Sequence, residues 1–351
     1  MDVLSDAITA VRAGRPHSTR MRRPGSFAGR FAPFDGAGFH VVLQGSCWLF
    51  PPAGQPIALR AGDVAFLPHG SAHGLAGGPT PPPPAAPASL TDPSLALGVG
   101  DVELLCGAYL LDRSRAHPLL RELPDVIHLP LRVGRHTALR TAVELLGDEL
   151  EQERPRPGGD AMLPALLDVL LLQILRTWFD ERAADGAATG WAAALRDPAV
   201  AAALRAIHGE PGRPWTVEEL GARSGLSRAP FARRFATLVG RPPLAYLTWW
   251  RLTLAARLLR DGNAPLAAVA RQVGYTSEFA FAHAFKREYG TPPGAFRQQA
   301  RVPRSRGMGG AGWEPPANTK RSAAARGGSG KQQLTGQRPR GPGARRRPAR
   351  A

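Results

Sequence analysis

Phe231-Ala232-Arg233-Arg234-Phe235 returns as Phe281-Ala282-His283-Ala284-Phe285, and beyond it Gly240, Pro243 and Tyr246 return as Gly290, Pro293 and Phe296, each pair 50 residues apart. Equal spacing over five positions marks a duplicated structural unit. Ahead of each phenylalanine pair stands a turn signal, Gly225-Leu226-Ser227 in the first copy and Gly274-Tyr275-Thr276-Ser277 in the second. A short helix, a glycine turn and a second helix with polar outward positions make a helix-turn-helix unit, and two of them side by side suit a DNA duplex.

The first copy opens on Thr216-Val217-Glu218-Glu219. This is the spacing of a capping box, in which the threonine hydroxyl and the glutamate side chain exchange hydrogen bonds with each other's amides. Ser227 is the expected cap of the next helix, and Pro230 falls in its first turn, where a missing amide costs little. With Phe231, Phe235 and Leu238 turned inward, Ser227, Arg228, Ala229, Ala232 and Arg233 form the expected reading surface, and Arg234 lies toward the buried side. In the second copy Pro265 replaces the capping threonine, and the corresponding surface is Ser277, Glu278, Phe279, Ala282, His283 and Lys286. The helical pattern over 244–259 reads as a rigid connector, long enough to hold two reading helices about one DNA turn, roughly 34 Å, apart. Arginines that merely solvate a helical face are the plainer reading of any one such helix; the duplication is what argues against it.

Charge supports the same assignment. Of the net +17, residues 1–210 carry −3, residues 211–300 carry +8 and residues 301–351 carry +12, so the basic surplus sits where a polyanion would be met. Residues 301–351, rich in Gly, Pro, Arg, Ser and Ala, lack the aliphatic content to form a core and read as a disordered basic tail. Cys47 and Cys106 are too few for a disulfide framework, which fits a reducing cytoplasm. The first ten residues lack a basic start and apolar core, and the apolar run 162–175 is too short to cross a bilayer, so no membrane partner is expected.

Upstream, apolar stretches at 39–43, 46–50, 57–60, 64–67 and 102–111 are broken by Gly and Pro, the pattern of an all-β barrel or sandwich. The proline run within 77–87 belongs in a surface excursion. Helical periodicity follows, with Leu139, Val143, Leu146 and Leu150 on one face, then a very apolar helix over 162–178. Its stripe is wide enough to face both the barrel and a second subunit, or to be an internal core helix. Residues 209–214 read as a hinge. The expected division is 1–132 for a sensor or dimerisation barrel, 133–197 for a helical linker, 198–300 for the paired helix-turn-helix units and 301–351 for the tail: an α+β multidomain chain.

Over about 198–299 the sequence resembles the AraC-type transcriptional regulators, through Arg257-Leu258-Leu259, Ala267-Ala268-Val269-Ala270, Val273-Gly274-Tyr275, Phe285-Lys286 and Gly290-Thr291-Pro292-Pro293. That resemblance implies promoter DNA as partner, base contacts from the outward residues of both reading helices, a homodimer, and RNA polymerase as a further partner of an activator. His283 departs from the arginine frequent there, which implies a different base preference for the second unit. The stretch from Gly62 through Pro68 and Gly70 to His73 fits G-x5-P-x-G-x2-H, and the N-terminal region is similar to the cupins. In metal-binding cupins His73 would be one of four ligands, but the glutamate slot falls on Gly38 and the remaining histidine slots fall within 31–34, where no ligand stands. His40 shares an inward face with Gly38. His40 and His73 are therefore the candidate effector-binding residues, with no cofactor expected. A cupin-type metal-dependent enzyme with a DNA-binding appendage, and an architectural protein relying on its tail, remain the alternatives.

Overall fold

The computed structural model describes residues 3–11, 14–84, 101–111, 117–130, 135–151, 157–186 and 189–301. The expected tail beyond 301, the end of the proline run at 85–87 and the 132/133 boundary lie outside the described residues.

A short helix α1 (Val3–Val11) precedes nine strands: β1 (His17–Arg23), β2 (Ala28–Phe31), β3 (Gly36–Gln44), β4 (Ser46–Phe50), β5 (Ile57–Arg60), β6 (Val64–Leu67), β7 (His73–Ala76), β8 (Val102–Leu110) and β9 (Ile127–Leu129). They form two antiparallel sheets, ordered β1-β8-β3-β6-β9 and β2-β7-β4-β5. Period-2 geometry explains why β3 and β8 read as nearly unbroken apolar runs. Val42, Val102, Leu104 and Cys106 point between the sheets. Their neighbours Ala37, Phe39, Val41, Leu105 and Tyr109 point the other way, into a helical layer. Both faces of this sheet are covered, so both are mainly apolar, with His40 on β3 and Glu103 on β8 as buried polar exceptions. Gly107 has no side chain because the Phe39 ring fills the place: a Cβ there would stand 2.4 Å from it.

The helical layer comprises α2 (Pro118–Arg121), α3 (Thr137–Glu151), α4 (Gly159–Ala184), α5 (Gly190–Arg196) and α6 (Pro198–Gly209). At 26 residues α4 extends well past the 162–178 run and is long and apolar enough to cross a membrane. Here Leu167, Leu170, Ile174 and Leu175 are fully buried in the core, and the Tyr109 hydroxyl donates to the Leu167 carbonyl at 2.7 Å. Leu145, Met162 and Val169 remain exposed.

The duplicated region follows as α7 (Val217–Ala222), α8 (Arg228–Val239), α9 (Pro243–Asp261), α10 (Leu266–Gln272), α11 (Glu278–Tyr289) and α12 (Pro293–Arg301). The two copies are not equivalent in their packing. Phe231, Phe235, Tyr246, Trp249 and Trp250 belong to a core that continues without a break through α6, α5 and α4 to the outer face of β3 and β8. Phe281, Phe285, Val269 and Val273 form a separate core on the far half of α9. The expected hinge at 209–214 is tied down inside the duplicated region: Arg251 donates to the carbonyls of Pro211 (2.6 Å) and Arg213 (2.8 Å).

Removing one phenylalanine from each copy should therefore give different unfolding behaviour. Phe231→Ala is expected to cost about 3–5 kcal/mol in the main transition, including that of the barrel. Phe281→Ala should leave that transition nearly in place and melt the second unit early. None of Trp48, Trp178, Trp191, Trp215, Trp249 and Trp250 lies in the second core, so the early step should appear in circular dichroism and be silent in tryptophan fluorescence.

Candidate nucleic-acid interface

Each reading helix is positioned by the same local devices. In the first unit Thr216 Oγ1 accepts from the Glu219 amide (3.1 Å) while the Thr216 amide donates to Glu219 Oε2 (2.9 Å), the expected capping box. Gly225 (φ +68°) and Gly274 (φ +85°) take the left-handed conformation that ends α7 and α10. Leu226 and Tyr275 then donate back to the carbonyls of Gly221 (3.0 Å) and Ala270 (2.9 Å), closing the same turn in both copies. The second helices are both 12 residues long and end on Gly240 and Gly290, again left-handed.

The caps of α8 and α11 differ, and the reason lies in one residue. Ser277 Oγ accepts from the Ala280 amide (3.3 Å). Ser227 makes no capping hydrogen bond with its side chain, contrary to expectation, because the third residue of α8 is Pro230, which has no amide to offer.

Phe231, Phe235, Phe281 and Phe285 are fully buried, which leaves the opposite faces to solvent. Ser227, Arg228, Ala229 and Arg233 are exposed and Ala232 half-buried; Ser277, Glu278, Phe279, His283 and Lys286 are exposed and Ala282 half-buried. All eleven expected reading residues thus lie away from the cores. Phe279 is 82% exposed, a large apolar cost for a position at the start of a reading helix. Arg228 reaches Glu218 at 3.0 Å, an exposed pair that a phosphate could displace. Arg234 is held instead by Asp197, at 2.6 Å from Nε, which anchors α8 to the cap of α6.

Inside the barrel His40 and His73 do meet, their Nε2 atoms 2.7 Å apart. His73 Nδ1 lies 2.8 Å from the Ser71 carbonyl, which can only accept, so that nitrogen carries the proton. In the neutral ring Nε2 is then the acceptor, His40 Nε2 the donor, and His40 Nδ1 accepts from the Cys106 thiol at 2.9 Å. Burial holds both imidazoles neutral, His73 down to about 4 and His40 well below 6.5. Phe31, within the slots where a metal-binding cupin carries histidines, stacks on His73 with centroids 4.7 Å apart. These donors do not fit a metal: the nitrogens that face each other are spent on one another, and no group of three His, Cys, Asp or Glu is placed to hold one among the described residues.

A second buried polar cluster escaped the sequence reading. His208 Nε2 and His117 Nε2 lie 2.7 and 3.1 Å from the Tyr246 hydroxyl, and His208 Nδ1 lies 3.2 Å from Asp6 Oδ2. These side chains come from α1, the cap of α2, α6 and α9, elements far apart in sequence with no shared motif.

The comparisons agree with this geometry. A cupin family model matches residues 2–180 and a helix-turn-helix domain model matches residues 220–299. An AraC-like transcription regulator of Streptomyces lividans is 36% identical over 309 residues, covering 86% of this chain and 100% of the relative. The chain belongs to the AraC-type transcriptional regulators. The regulator AlkR of Acinetobacter baylyi is 30% identical over 316 residues, covering 86% of this chain and 100% of its own. Among solved structures, the DNA-binding domain of AdpA in complex with a target DNA is 34% identical, covering 32% of this chain and 99% of that one, with a TM-score of 0.29. In this chain the cupin region precedes a helix-turn-helix domain of the kind that binds DNA.

The buried imidazoles of this AraC-type chain set the sign of its pH dependence. The folded pKa values of His40, His73 and His117 lie below 6.5, so the unfolded chain takes up protons first as pH falls. Their contribution is complete above pH 6.5 and declines below it, by up to about 1.4 kcal/mol per pH unit for each ring. Melting temperature should fall between pH 7 and 5, and a flat or rising profile would contradict the neutral assignment.

Proposed function

We propose that this AraC-type regulator recognises promoter DNA in a sequence-specific way through both reading helices. The first unit presents Ser227, Arg228, Ala229, Ala232 and Arg233 to the major groove. The second presents Ser277, Glu278, Phe279, Ala282, His283 and Lys286. The observation that carries this reading is the outward placement of all eleven residues over two buried phenylalanine pairs. Arg228 and Arg233 suit guanine edges, Glu278 suits the cytosine amino group, and the exposed Phe279 ring suits a thymine methyl. Lys286 serves a phosphate.

The exposed Leu145, Met162 and Val169 on α3 and α4 support a homodimer through this face. A regulator of transcription works in the cytoplasm, where the buried thiols of Cys47, pushed up to about 12, and Cys106 stay reduced and inert. The closed hydrogen-bond chain through His40 and His73 supports a structural part for that pair, since an effector seated there would first have to break it.

Selection of bound sequences from random DNA by the full chain tests the reading. Arg233→Ala should lose about 1–3 kcal/mol and relax preference at one position, while Lys286→Ala should weaken all sequences alike. Arg234→Ala should lower stability and leave the preferred sequence unchanged. A chain that selects no sequence refutes the proposal.

A further inference from the structure

Between the end of α4, the loop after α2 and the start of α5 lies a cleft of about 390 Å³, within the range of small-molecule sites. Trp178, Phe179, Leu119 and Trp191 give it apolar walls, and Arg182 and Glu122 stand at it as its charged groups. Glu122 Oε2 is already engaged by the Trp191 amide at 2.8 Å. Arg182, by contrast, is exposed, lies 5.9 Å from the Trp178 ring centroid and pairs with no carboxylate among the described residues. Trp191 is 1% exposed and its Nε1 donor is buried with no acceptor among the described residues, an unmet polar group in the residue that lines the cleft.

We infer that this cleft is an effector site for a hydrophobic organic acid, with its flat apolar body between the aromatic rings and its carboxylate on Arg182. The inference rests on the regulator reading only for its purpose, because binding itself needs no DNA. Charge decides the class: Arg182, the cleft's cation, has no acidic partner among the described residues and suits an anion, while Oε2 of the cleft's acid, Glu122, is held by a backbone amide. A body of one or two rings fits the volume.

The position explains how occupancy would be felt. Trp191 lies against His117 (4.7 Å between centroids) and Tyr246 (5.8 Å), and Tyr246 sits on α9. Its helix α5 packs directly on α8, the first reading helix. A ligand that wedges α5 from α4 therefore moves a wall of the core that holds α8. Such a site lies outside the barrel interior, where His40 and His73 are closed on each other.

Calorimetric titration of the full chain with 1-naphthoate, its neutral amide and 1-naphthylmethylammonium tests the assignment. The carboxylate should bind with a Kd of about 1 mM or tighter, the level expected for a probe of this size. The amide and the cation should bind at least about tenfold more weakly. Arg182→Gln should erase the preference for the carboxylate over the amide, whereas Arg176→Gln, exposed on the same helix outside the cleft, should keep it. Thr189→Trp, at the exposed mouth, should block all three without disturbing the fold. No binding of naphthoate, tighter binding of the cation, or binding indifferent to both Arg182→Gln and Thr189→Trp would overturn the inference, the last by placing the site outside this cleft. Because these titrations contain no DNA, their failure leaves the reading of the duplex untouched, and the random-sequence selection tests that separately.

Discussion

A single unbroken helix, α9, is shared by two cores, and this constraint organises the rest of the molecule. Its first half inserts Tyr246, Trp249 and Trp250 into the core that runs back to the barrel. Its second half lends Leu252, Ala255, Ala256 and Leu259 to the core of the second unit. A helix of 19 residues spans roughly 28 Å and resists bending, so neither unit can turn without the other being carried along. The duplicated sequence thus yields two similar units with unequal attachments: one built into the core that runs back to the barrel, one with a separate core on the far half of α9.

That inequality gives regulation a physical route. A change in the barrel or helical layer acts on α8 through shared side chains, since Trp191, Tyr246 and Phe235 lie in one contiguous aromatic group. The second reader is reached through α9 and through the 209–214 segment, where a Cβ on Gly274 would stand 2.7 Å from the Gly212 carbonyl oxygen. Closely packed cores respond by switching between discrete arrangements more readily than by gradual deformation, so a small displacement near Trp191 can alter the relation between the two reading helices. The buried cluster of Asp6, His117, His208 and Tyr246 pins α1, α2, α6 and α9 at one point and makes the first reader's position dependent on all four.

Much of this was legible in the chain. The repeat at 50 residues, the Thr216 capping box, the turn glycines and the inward phenylalanines gave both helix pairs and their outward faces, because helix periodicity and capping are local. Strands β1, β2, β7 and β9 were missed: His17–Arg23 is basic and polar at an edge, and the others are three or four residues long. Ser227 and Pro230 were each read correctly in isolation, yet the proline removes the very amide the serine would cap. The hinge at 209–214 looked free from its Gly and Pro content, yet side chains outside it hold it, Arg251 on the Pro211 and Arg213 carbonyls and Trp215 on the Glu210 carbonyl. The tyrosine–histidine cluster joins residues up to 202 positions apart and the cleft joins Glu122 to Trp191, 69 apart, which no local pattern reveals.

Native-state hydrogen exchange tests the shared core most directly. If the first reader is thermodynamically part of the barrel and its helical layer, amides of α8 should open together with those of β8 and α4. Those of α11 should open separately, at a free energy lower by at least about 1 kcal/mol. Joint opening of α8 and α11, with the barrel and α4 still protected, would contradict this account.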